Sequence, residues 1–138
     1  MFIPNSTYRI QFHKDFGFKD LLQLLPYLQQ LGISTIYASP VFKARPGSTH
    51  GYDTTDVTQI NPEIGTLKEF EKLQKELKKR NMSWLQDIVP NHMAFDQDNV
   101  WLMDVLEKGP QSRYYNFFDI DWNHPKYKGK VMAPFLGD

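Results

Sequence analysis

The sequence predicts an α/β fold built on parallel strands, and three observations predict it. Runs of β-forming residues at 7–12, 33–38 and 83–89 are separated by two stretches whose apolar residues recur at helical spacing. The middle run is apolar enough to be buried on both faces, as strands of parallel sheets are. The order strand, helix, strand, helix, strand then gives two right-handed βαβ units.

The first strand, Thr7-Tyr8-Arg9-Ile10-Gln11-Phe12, alternates and is rich in β-formers. Leu21, Leu24, Leu25, Leu28 and Leu31 follow at helical spacing, and Gly32 supplies a C-terminal stop. Pro26 inside that pattern predicts a kink or a late helix start. After the second strand comes a long segment, 39–65, rich in Gly, Pro, Ser and Thr; structureless loops of that length are usually functional. Thr66-Leu67-Lys68-Glu69 has the form of a capping box. Leu67, Phe70, Leu73 and Leu77 give the next helix its apolar stripe, and Glu71/Lys75 and Glu76/Arg80 are spaced to pair along it. Lys78, Lys79 and Arg80 read as a solvated helix end that complements the dipole. Beyond the third strand the spacing predicts a helix over 99–107 and an irregular or short-strand segment over 114–122. The pattern changes beyond His92, so the expected division is 1–92, carrying the strands and helices, and 93–138.

Composition narrows the function. Hydrophobic residues at 41% and charged residues at 23% fit a globular chain rather than a disordered one. Sixteen basic side chains balance sixteen acidic ones, so no net field favours nucleic acid or an anionic membrane. The absence of Cys excludes a disulfide framework and a thiolate metal site. The first residues lack a basic segment followed by an apolar core, and the apolar stretch at 21–31 is interrupted by Gln, Pro and Tyr. A cytoplasmic location is the expectation.

Two short runs carry the chemistry. Gly47-Ser48-Thr49-His50-Gly51-Tyr52-Asp53 follows the second strand, and Asp87-Ile88-Val89-Pro90-Asn91-His92 closes the third. Each crowds His and a carboxylate into a few positions, the first with an aromatic ring, in the loops where parallel α/β folds place ligand sites. His13 and His124 have no evident partner and read as structural. Trp84 reads as core, and Trp101 and Trp122 as core or as aromatic platforms.

The segments STYRIQF, ASPVFKARPGSTHGYD, INPEIG, DIVPNHM and FFDIDW, in that order, resemble the α-amylase superfamily of glycoside hydrolases. Within it the chain is similar to the maltooligosyl trehalose synthases, over nearly its whole length. The resemblance implies the N-terminal βαβαβ part of a (β/α)8 barrel of the TIM type, plus the start of the insertion after the third strand. A complete barrel takes roughly 250 residues.

The resemblance also implies roles. Asp87, Asn91 and His92 match the first conserved segment of the superfamily, in which the His contacts the sugar beside the scissile bond and the Asp supports the site structurally. Tyr52 matches the aromatic residue that stacks on that sugar, with Asp53 as the neighbouring hydroxyl acceptor. The chemistry agrees, because a phenol covers the apolar face of a pyranose while carboxylate and imidazole take its hydroxyl hydrogen bonds. His50 stands between loop scaffold and pocket wall. In calcium-dependent relatives the residue matching Asn91 is an ion ligand, but the six to eight oxygens that calcium takes are not identifiable here, so no metal is expected.

The implied activity is intramolecular transglucosylation, turning the reducing-end α-1,4 bond of a maltooligosaccharide into an α,α-1,1 bond, without an organic cofactor. The partner implied is a maltooligosaccharide or another α-1,4-glucan, with neither nucleic acid nor membrane. A hydrolytic amylase or glucosidase on the same fold is the rival enzyme, and a non-catalytic glucan-binding piece the rival of another class. Retaining glycoside chemistry needs two carboxyl groups about 5–5.5 Å apart. None of the sixteen acidic residues matches the segments that carry them. Glu63 and Glu107 belong to no recognisable pair. The catalytic residues are therefore expected beyond residue 138 and the chain alone is expected to be inactive. Three strands without a closed barrel have two open edges, which predicts self-association.

Overall fold

The computed structural model describes residues 3–131. They form two compact units divided after Ala94.

In the first unit three strands, β1 (Thr7–Ile10), β2 (Thr35–Ala38) and β5 (Ser83–Gln86), make a parallel sheet in the order β1-β2-β5. Register pairs Tyr8 with Ile36 and Ile36 with Trp84, then Arg9 with Tyr37 and Tyr37 with Leu85. Side chains alternate across a strand, so these two rows point to opposite faces. Ile10, Ile36 and Ala38 join a buried core with Leu21, Leu25, Leu28, Leu73 and Leu77 from the helices α1 (Phe18–Gln30) and α2 (Leu67–Lys79). Trp84 packs against that core, stacked on Phe12 at 6.0 Å and edge-on to Phe70 at 5.4 Å.

Both helix starts can be traced to particular residues. Helix α2 begins as the sequence predicts: Glu69 N–H donates to Thr66 Oγ1 (3.3 Å) and Thr66 N–H to Glu69 Oε2 (2.8 Å). Glu76 pairs with Arg80 at 2.5 Å, as its spacing suggests, and also with Lys79 at 2.6 Å. Helix α1 makes no late start at Pro26: it begins at Phe18, just ahead of the expected stretch, and runs through Pro26, which lies on its exposed side. The start is fixed by a close approach: Phe18 N–H donates to Ile64 O at 2.9 Å, and a Cβ on Gly17 would stand 2.4 Å from that oxygen. Only glycine fits there.

Two expectations need correction. The segment 39–65 is not one irregular loop. It holds an antiparallel pair, β3 (Phe42–Ala44) and β4 (Thr54–Ile60), whose register slips twice across its three pairings. The fold is thus βαβαβ with a hairpin inserted after the second parallel strand. Five β-branched residues in Thr54–Ile60 (Thr54, Thr55, Val57, Thr58 and Ile60) were the available signal. The middle parallel strand is buried on both faces, as expected, with Ile36 and Ala38 on one and the polar Thr35 and half-buried Tyr37 on the other. The third strand ends at Gln86, three residues earlier than expected.

The second unit contains α3 (Val100–Lys108), capped by the buried Asn99, whose Oδ1 accepts from Leu102 N–H at 3.2 Å. Asp104 accepts from Ser112 Oγ at 2.5 Å and pairs with Lys108. Trp101, Tyr114 and Phe117 cluster, and Tyr115 stacks on Trp122 at 5.7 Å. The segment 114–122 holds a single 3₁₀ turn, Tyr115–Phe117, and no strand.

Candidate functional site

Parallel strands end together, and the loops at their carboxyl ends meet. Asp87 lies one residue past β5, where its N–H donates to Ala38 O at the end of β2 (2.9 Å). The run 47–53 is the tip of the β3–β4 hairpin. That tip is tied down at several points. Gln11, just past β1, donates from Nε2 to the carbonyls of Thr49 and His50, both at 3.3 Å. Gly47 N–H is held by both carboxylate oxygens of Glu63, at 3.0 and 3.1 Å. Gly51 has φ +76°, and a Cβ there would meet Pro40 O at 2.9 Å, so conformation and space both require glycine.

These ties deliver Tyr52 to the sheet. Its hydroxyl donates to Asp87 Oδ2 at 2.5 Å, and the same oxygen accepts from Arg9 Nη1 at 2.9 Å. Arg9 Nη2 donates to the Tyr52 hydroxyl oxygen at 2.8 Å, closing a triangle of phenol, carboxylate and guanidinium. The guanidinium lies over the Tyr37 ring, 4.4 Å from its centre. His50 stacks against the Tyr52 ring at 5.9 Å, and its Nδ1 accepts the Tyr52 N–H at 3.0 Å. Asp53 Oδ1 accepts from Ser48 Oγ at 2.5 Å and lies 3.8 Å from His50 Nδ1.

Electrostatics fix the protonation states. The Tyr52 hydroxyl, and after it the Arg9 guanidinium, hold the Asp87 carboxyl below the usual carboxylate range. Asp87 in turn pushes the Tyr52 phenol up. At neutral pH the carboxylate is therefore charged and the phenol keeps its proton. Such a trio can orient a ring and present hydrogen bonds; it is not built to exchange a proton.

Of the residues singled out in the sequence, Tyr52, Asp87, His50 and Asp53 come together here. Asn91 and His92 are exposed on the segment after β5, and neither side chain makes a hydrogen bond or ring contact among the described residues. Those residues contain no group of three or more His, Asp or Glu arranged to hold a metal ion. Arg9, Gln11 and Glu63 are members that the sequence did not reveal. Arg9 and Gln11 stand in the β1 segment already quoted, yet nothing local marks them, since their partners lie tens of residues away.

Residues 15–136 match the family described as the α-amylase catalytic domain. A putative maltooligosyl trehalose synthase of Mycobacterium tuberculosis is 42% identical over 139 residues, covering 96% of this chain and 18% of that protein. A solved glycosyltrehalose synthase is 50% identical with a TM-score of 0.80, covering 84% of this chain and 16% of its own. The crystal structure of a hypothetical maltooligosyl trehalose synthase of Sulfolobus tokodaii is 45% identical with a TM-score of 0.84, covering 99% of this chain and 18% of that one. The chain spans less than a fifth of the length of these relatives.

Proposed function

This chain belongs to the α-amylase family, and from that premise we propose that it forms one wall of the sugar site of an enzyme that isomerises maltooligosaccharides. The reaction proposed is intramolecular transglucosylation, in which the reducing-end α-1,4 bond becomes an α,α-1,1 bond. The observation that carries the proposal is the Tyr52 ring, pinned by its hydroxyl at the carboxyl ends of the parallel strands. A ring so held offers a flat apolar surface to a pyranose. Asp53 and His92 supply hydrogen bonds to sugar hydroxyls, with Asn91 and His50 at the margin. Asp87 holds the ring in place and stays charged.

The proposal gives these residues binding and orientation. Orientation matters more to transfer than to hydrolysis, because the released glucose must be kept, turned and shielded from water. The nucleophile and the acid are assigned to none of the residues of this chain.

The test is product analysis of the complete gene product on maltopentaose. The expected result is loss of reducing ends without release of glucose, and a fall in kcat/KM of about tenfold or more for Tyr52→Ala. Accumulation of new reducing ends would instead make the protein an α-glucan hydrolase.

A further inference from the structure

We propose that Arg9 is a positioning residue of this site, setting the direction of the Tyr52 ring from the sheet. Tyr52 stands on a hairpin tip, whose backbone is tied by Gln11, Glu63 and its own turn. Those ties hold the main chain and leave the far end of the side chain to be fixed by something else. The hydroxyl end meets two groups anchored in or beside the parallel sheet, Arg9 in β1 and Asp87 just past β5.

The geometry favours Arg9 as the organiser of the pair. Its two terminal nitrogens reach two partners at once, Nη1 to Asp87 and Nη2 to Tyr52. Stacking over Tyr37 fixes the plane of the fork. A lysine ammonium is a single point on a flexible stem and cannot hold both directions in one plane. Charge-assisted bonds of this kind are the strong ones, and Arg9 also balances the Asp87 anion, whose side chain is only 15% exposed. Arg9 thus acts on the ligand through Tyr52.

The ligand arm of the test rests on the sugar reading above; the tyrosine arm does not. The complete gene product is labelled with [13Cζ]tyrosine, and the Tyr52 resonance is assigned by its loss in Tyr52→Phe. Arg9→Lys and Arg9→Ala are each expected to move that resonance and to weaken maltotriose binding about tenfold. Combining Arg9→Lys with Tyr52→Phe is expected to cost no more affinity than Tyr52→Phe alone. An unmoved Tyr52 resonance in Arg9→Lys, or full additivity of the two substitutions, would overturn the proposal. If Arg9→Ala fails to fold, Arg9→Lys decides. A wild-type protein that ignores maltotriose, with a Tyr52 resonance that still follows Arg9, would remove the sugar reading and keep the positioning role.

Discussion

The two faces of the parallel sheet are cut from the same three strands and do opposite work. One carries Ile10, Ile36, Ala38 and Trp84 into the leucines of α1 and α2. The other carries Thr35 and Ser83, bonded to each other at 2.8 Å, then Arg9 and Tyr37, and beyond them Asp87. Leu85, 52% exposed, interrupts this polar row. Burial on the first face is non-directional and rewards volume. The second face is held by bonds with defined angles and partners, which is what a binding wall needs. Neighbouring residues in one strand therefore answer to different physics.

Substitutions at adjacent positions of β2 put that contrast to the test. Ile36→Ala empties a fully buried site on the helix side and is expected to cost about 2–5 kcal/mol, read from urea unfolding. A loss below about 1 kcal/mol would mean that the helices do not close on the sheet as described. Thr35→Val, one residue earlier, keeps the shape but strands the Ser83 hydroxyl. About 1 kcal/mol is expected, with Thr35→Val/Ser83→Ala recovering part of it. A cost equal to that of Ile36→Ala would erase the difference between the faces.

The smallest effect is acidic. The Asp87 pKa is depressed by Tyr52 first and Arg9 second. Its contribution to stability is thus complete above the unfolded value of about 3.9 and is lost as pH falls through the lower folded value. Glu69, Glu76 and Asp104 are depressed as well, so the informative measurement is a difference. Urea midpoints from pH 6 to pH 2 are expected to fall less steeply in Asp87→Asn than in the wild type. Identical slopes would show that the triangle contributes nothing to the fold.

What the sequence made legible follows the range of the interactions. The capping box, the leucine spacing of α1 and the three parallel strands are local patterns, readable within a dozen residues. Tyr52 and Asp87 were legible because they sit in recognisable runs. The hairpin was not, since β3 is three residues long between Pro40 and Pro46 and its register is broken. The helix start at Phe18 rests partly on Asp20, whose Oδ2 accepts the Gly17 N–H at 2.7 Å, and partly on a distant carbonyl at Ile64, which no local pattern announces. Arg9 was missed for the same reason. Its role exists only once residues 43 and 78 positions downstream are beside it.

That separation has a kinetic side. The link from Arg9 to Asp87 spans both crossovers, so the closure entropy of the intervening chain must be met before the contact forms. Contacts of high sequence separation are the slow ones in folding. Each helix can form within its own segment, and β1 can pair with β2 before β5 is available. The phenol, carboxylate and guanidinium can meet only when both crossovers are in place and the hairpin tip has come down on them. The site is therefore expected to form late in the folding of this unit, after both crossovers are in place.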